Sequence, residues 1–355
     1  MQRTGGANCP MRKRLLALCL TSSVFLAAWR CPVGSRSPDV GSISEDVKSF
    51  ASDFSLNPSQ ASRDLEFLTA SPHPFGSPRQ TEVANFLERR IVDSGGRVEV
   101  QEFKTDIPNV AALSMPAALT RSISGRNIFA WPKRFDTGSD GGKTCVVLLA
   151  SHYDSKFVDG MSYVGANDSG SSSVALLQLL QHVQNRHLPK NLECRIGFVW
   201  FDGEEATLPG WSDGETIFPV KIIDHTWGSR HAAGQLMSQK ISGLILLDMI
   251  GSPDLRLTRD SRSTPALVKL QEAAIDALGY PPTLLSEYSV PVEDDHIPFL
   301  ARGIPALNII DFNDLSVWHR PGDEVLRINP NSIEKASRIA IMIALTVARD
   351  PQAIR

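Results

Sequence analysis

Apolar runs along this chain end in residues that can bind a metal or move protons. VVLLASHYD closes on His152 and Asp154, IGFVWFDGEE on Asp202, Glu204 and Glu205, and LILLDMIG carries Asp248 near its end. IPALNII, from Ile304 to Ile310, leads into a loop with Trp318 and His319, and Asp168 sits in GANDSGSSS just ahead of a helical pattern. A catalytic zinc needs three oxygen or nitrogen ligands and an open fourth position. There is no Cys-rich zinc pattern, so Asp168, the Glu204/Glu205 pair and His319 are the candidates. Adjacent carboxylates allow one to bind metal while the other carries protons. On an extended strand the two would point to opposite sides, so a turn must aim them inward. Taken singly, each residue also has a plainer role: Asp168 as a helix cap, Glu204 and Glu205 as a solvated turn, His319 as a surface ring.

The elements that must hold these residues follow from periodicity. Helical spacing runs from near Ile43 to Val92, clearest in VANFLERRIV, and RVEVQEF alternates as a strand. Further helices are expected from Ser172 to Val183 and from Ser332 onward. Strands alternating with helices predict an α/β layer fold. Ligands in such folds bind beyond the carboxyl ends of the strands, where the polar residues accumulate here.

A hydrophobic share of 42% argues against wholesale disorder. With a net charge of −3 and no long basic block, nucleic acid is excluded as a partner, and a peptide or small molecule is expected. Arg12, Lys13 and Arg14 precede an apolar run from Leu15 to Trp29 that is short for a membrane span. Residues 1–34 are therefore read as a signal peptide of an exported protein, secreted or periplasmic, with a membrane anchor through residues 11–30 as the alternative. Trp29 and Arg30 before Cys31 argue against a lipidated cysteine. Residues 35–42 read as a linker and 43–355 as one folded domain. Cys145 and Cys194 lie in apolar strand-like runs and are read as buried free thiols, with a disulfide between neighbouring strands left open.

HYDSK (152–156), GANDSG (165–170), FDGEEA (201–206), WGSRH (227–231), LLDMIG (246–251), DDHIPFL (294–300) and VWH (317–319) occur in an order that resembles the glutaminyl-peptide cyclotransferases, within the zinc aminopeptidase-like group. The resemblance spans about residues 45–350. It implies a single domain with a central, mostly parallel mixed sheet flanked by helices. It also implies one zinc per chain on Asp168, Glu205 and His319, with Glu204 as general acid/base and Asp248 and Asp294 as its hydrogen-bonding partners. Trp211 and Trp318 resemble the substrate-pocket aromatics, with Asn308 where animal members carry a pocket histidine. His152 with Asp248 corresponds to the second metal site of the dinuclear aminopeptidases. The implied reaction closes the N-terminal glutamine of a peptide or protein to pyroglutamate with release of ammonia, in a monomer without stable protein partners. Glu293, where those enzymes have Gln, and the absence of a cysteine pair around Ser151 and Ser171 to Ser173 depart from the pattern. A zinc aminopeptidase and a non-catalytic zinc-binding relative are the alternatives. A serine hydrolase is excluded because no GxSxG elbow stands at a strand end.

Overall fold

Where the sequence runs apolar without interruption, the chain forms strands buried on both faces, as expected of strands covered by helices on either side. The computed structural model describes residues 42–109, 120–133, 145–211, 213, 223–235 and 240–354. The expected leader, and the expected linker apart from Ser42, lie outside them. Three helices come first: α1 (Glu45–Ser52), α2 (Pro58–Leu68) and α3 (Pro78–Asp93). Asn57 and Ser77 cap the second and third by accepting from Gln60 and Gln80 amides, each ahead of a proline at the first helical position.

The central sheet contains β1 (Gly96–Pro108), β2 (Thr120–Pro132), β3 (Cys145–His152), β4 (Cys194–Phe201), β5 (Lys240–Asp248) and β8 (Ala306–Ile310), in the order β1-β2-β4-β3-β5-β8. The β1–β2 and β2–β4 pairs are antiparallel, and the other neighbours are parallel. The result is one mixed, mostly parallel α/β domain. A separate parallel pair, β6 (Leu257–Asp260) and β7 (Leu285–Val290), lies to one side.

Alternation along the central strands divides the core. Val147 and Leu149 of β3 join one apolar cluster, while Val146, Leu148 and Ala150 join the other. The first cluster takes in α4 (Ser172–Asn185), α6 (Pro265–Ala277) and α8 (Pro330–Arg349). The second includes residues of α5 (Trp227–Gln235) and α7 (Ile297–Leu300). From Ile339 to Val347, α8 is buried on every side, which is why that stretch is apolar all round. No helix among the described residues is long and apolar enough to cross a membrane.

Cys145 and Cys194 are not free thiols but a disulfide. They are directly opposed in the parallel β3–β4 register, with Cα atoms 4.6 Å apart. Sequence spacing could not reveal this, because the register is fixed by tertiary pairing. The bridge spans a sequence separation of 49, a closure that typically stabilises by about 2–4 kcal/mol. A Cys145→Ala, Cys194→Ala double variant should unfold at correspondingly lower denaturant. Reductant should shift the wild-type midpoint and leave that of the variant unchanged.

Candidate active site

The parallel registers bring the chemistry together. His152 ends β3 level with Phe201 at the end of β4, and Asp248 ends β5 level with Ile310 at the end of β8. The loops after these strands therefore leave from one edge of the sheet, where a cavity of about 230 Å³ opens. Asp168, Glu204, Glu205, Trp211, Asp248, Asp294, Trp318 and His319 all line it. Asn308 does not. It is fully buried, and its amide nitrogen donates to Asp294 Oδ2 at 2.8 Å, so it holds a pocket carboxylate from behind.

The turn needed after β4 is made at Gly203, whose φ of +67° is accessible to glycine at little cost. A Cβ there would also press on the Phe75 ring. Asp154 then fixes the two glutamates. Its carboxylate accepts the Glu204 amide at 3.0 Å and the Glu205 amide at 3.2 Å. Lys156, itself buried, donates to the Ala206 and Leu208 carbonyls and holds the continuation of the loop.

Asp168 is not the cap of α4. It lies in the π-helical turn Ala166–Ser171 with non-helical φ/ψ of −108° and 86°, and Ser171 occupies the cap position. That displacement leaves the carboxylate facing the cavity. Asp323 secures the turn by accepting the Asn167 amide at 2.7 Å and the Asp168 amide at 3.2 Å. The Tyr163 hydroxyl lies within 3.3 Å of Asp168 Oδ2 and 3.1 Å of Asp323 Oδ2. His319 has a positive φ of 52° and stacks on Trp318 at 4.2 Å.

Two groups of ligand-type atoms result, each with its members within 4.8 Å of one another: Asp168, Glu205 and His319, and His152, Asp168 and Asp248. His319 Nε2 is 3.2 Å from Glu205 Oε1 and 3.4 Å from Asp168 Oδ2. His152 Nε2 is 3.2 Å from Asp168 Oδ1 and 3.4 Å from Asp248 Oδ1, while its Nδ1 faces the Asp154 carbonyl at 3.2 Å. His152 Nε2, Glu205 Oε2 and Asp248 Oδ1 are buried without a hydrogen-bond partner. Carboxylates crowded into a dry site need a cation or protons to be tolerable. The orphaned atoms and the mixed oxygen/nitrogen donor set fit a bound divalent metal.

The same crowding sets the proton affinities. Burial chiefly raises the Glu204 carboxyl well above the usual carboxylate range; Asp294, Glu205 and Asp295 add to this against the opposing pull of His152. Asp294 is pushed up to about 7 by burial and then by Asp248, and Asp248 to about 6 by burial and then by Asp168. Burial alone would lower His319, but the Glu205 and Asp168 carboxylates outweigh it and raise the imidazole to about 10.

Three acidic residues received no role from sequence reasoning, although Asp154 was noted at its strand end. Asp154 and Asp323 act through backbone amides that spacing does not reveal. Asp295, beside Asp294, is fully buried with both oxygens lacking a partner. The Ser229 hydroxyl donates instead to the Thr226 carbonyl. Burial and then Asp294 raise Asp295 well above its ordinary range. The adjacent aspartates in DDH were the available signal.

Known proteins resemble this arrangement in sequence and fold. Residues 136–344, more than half of the chain, match Peptidase family M28. A glutaminyl-peptide cyclotransferase of Drosophila melanogaster is 31% identical over 82% of this chain and 86% of its own length. A glutaminyl-peptide cyclotransferase-like protein of Bos taurus is 29% identical over 93% and 89%. Among solved structures, an Acidobacteriales bacterium glutaminyl cyclase has a TM-score of 0.63 at 27% identity, covering 86% of this chain and 96% of its own. A leucine aminopeptidase precursor from Bacteroides thetaiotaomicron has a TM-score of 0.63 at 19% identity, covering 86% and 99%, a likeness of fold alone. By its match to the M28 family and its identity with curated relatives along most of their length, the chain belongs to the glutaminyl-peptide cyclotransferases of peptidase family M28.

Proposed function

We propose that this enzyme closes the N-terminal glutamine of peptides to pyroglutamate and releases ammonia, with one zinc held by Asp168, Glu205 and His319. The observation that carries this reading is the buried Glu204 carboxylate beside those three converging ligand atoms, in a pocket walled by Trp211 and Trp318. Zinc bound there would act as a Lewis acid toward the side-chain amide of the glutamine. Glu204 takes a proton from the attacking α-amine and delivers it to the departing nitrogen, a shuttle favoured by a pKa raised toward neutrality. Asp294, held by Asn308, adds to that raised pKa when it is ionised. The tryptophans hold the glutamine folded back, so that amine and amide meet as one oriented pair.

The group His152, Asp168 and Asp248 favours a second reading, a two-metal aminopeptidase in which each group would hold one ion and Asp168 would be common to both. Metal analysis together with mass spectrometry of glutaminyl and alanyl peptides separates the two. One zinc per chain and a product lighter by one ammonia is the expected result, whereas two metals with free amino acids released would overturn the cyclase reading. We also infer export, supported by the Cys145–Cys194 disulfide, because such bridges persist in oxidising compartments. Amino-terminal sequencing of exported material checks it, and a cytoplasmic protein still beginning at Met1 would contradict it.

A further inference from the structure

The pocket wall that carries Trp211 continues outward into a charged lip. His225 stacks on Trp211 with ring centroids 4.3 Å apart, and its Nε2 faces Glu293 Oε1 at 3.9 Å. Arg262 approaches the other carboxylate oxygen of Glu293 at 3.4 Å. Burial, reinforced by Arg230 and Lys156, pushes the His225 imidazole down to about 3, so this ring contributes shape rather than charge.

Depth distinguishes Glu293 from the other acids of the pocket. Asp168, Glu204, Glu205, Asp248 and Asp294 are each at most 6% exposed and form its floor, whereas the Glu293 side chain is 38% exposed and stands at the mouth. Glu293 lines the cavity and Arg262 does not, so the charge offered to an entering ligand is negative. The ion pair behind it is solvated, with Arg262 44% exposed, and neutralises that charge incompletely.

We propose that Glu293 is a specificity-determining residue that reads the second residue of the substrate peptide, favouring a cationic side chain and disfavouring an acidic one. This rests on the cyclase reading above. The N-terminal glutamine must place its amine and amide against the floor at Glu204, so the chain leaves through the mouth. The first side chain to pass the lip is then that of the second residue. The α-amine is common to all glutaminyl peptides, so a comparison that varies only the second residue isolates the lip.

The test is kcat/KM of the full chain for peptides beginning Gln-Lys, Gln-Ala and Gln-Glu. Preference should fall in that order, with Gln-Lys over Gln-Glu by about three- to tenfold at low ionic strength, the combined scale of one solvated attraction and one solvated repulsion. The ratio should decline toward one near about 1 M salt, where screening acts within a few ångströms. Glu293→Gln should reduce the ratio, and Arg262→Gln, which removes the competing cation, should increase it. Equal kcat/KM for the three peptides, a ratio indifferent to salt, or a ratio unchanged in Glu293→Gln would overturn the proposal. The salt series uses wild-type protein and can overturn the proposal even if a variant fails to fold. If none of the three peptides is cyclised, the cyclase reading fails and this inference with it. Cyclisation of all three without charge preference sinks the inference alone.

Discussion

Glu204→Gln is expected to bind metal as the wild type does and to lose about 10²- to 10⁴-fold in turnover, the usual worth of a positioned acid–base group. Glutamine preserves the shape of the side chain and leaves Glu205, the proposed ligand, untouched. It cannot accept a proton from the amine and return it to the leaving nitrogen. The pH profile adds a second signature. Glu204 must begin as a carboxylate, and burial with neighbouring acids raises its pKa well above the ordinary range. The charge of a bound zinc would pull that pKa back down from its metal-free position, and activity should be present above the resulting pKa and lost as pH falls through it. The substrate α-amine, with a free pKa of about 7.7–8.0, must also be neutral and adds its own loss on the acid side. In Glu204→Gln only the amine limb should remain in the residual rate. Full turnover in this variant, or unchanged two-group behaviour on the acid side, would remove Glu204 from the proton path.

The parts of this site that were legible in the sequence share a physical basis. Strands covered on both faces read as apolar runs, so β3, β4, β5 and β8 announced themselves, and the polar residues at their ends marked the catalytic edge. Strand β2 did not, because its first half, TRSISGRN, is polar and partly exposed, and its order comes from pairing with β1 on one side and β4 on the other. Periodicity reports which face of an element is buried and says little about what lies opposite. The Cys145–Cys194 bridge, invisible from spacing, depends on which strands are neighbours. Asp154 and Asp323 depend on amides that the fold delivers from 50 and 156 residues away. Asp168 shows the opposite case. Local propensity favours a cap before α4, but the π-helical turn diverts the residue into the cavity. The resemblance implied a substrate-binding place for Asn308, where relatives carry a pocket histidine, whereas here the side chain is buried and donates to Asp294.

His319→Ala should abolish turnover by removing the only nitrogen donor of its three-member ligand group. Outer partners of metal ligands are typically worth 10- to 100-fold in affinity, so loss of a ligand should weaken zinc binding by at least about 100-fold. Stability gives a readout independent of activity. A ligand at about 100 times its dissociation constant stabilises the folded state by about 2.7 kcal/mol. Zinc should therefore raise the wild-type melting temperature and leave that of His319→Ala almost unmoved at the same concentration. The metal-free wild type carries a further mark of the same residue. Glu205 and Asp168, overcoming the effect of burial, push His319 up to about 10, so in neutral solution a proton stands where the metal would bind. Zinc must displace it, and binding should release a proton and weaken about tenfold for each unit the pH falls below that value. His319→Ala should lose this dependence along with the affinity. Retention of one tightly held zinc and full activity in His319→Ala would move the metal away from this group, leaving His152, Asp168 and Asp248 as the remaining buried set among the described residues. Retained zinc with activity abolished would instead show that the surviving ion sits in that second group and that catalysis needs the first.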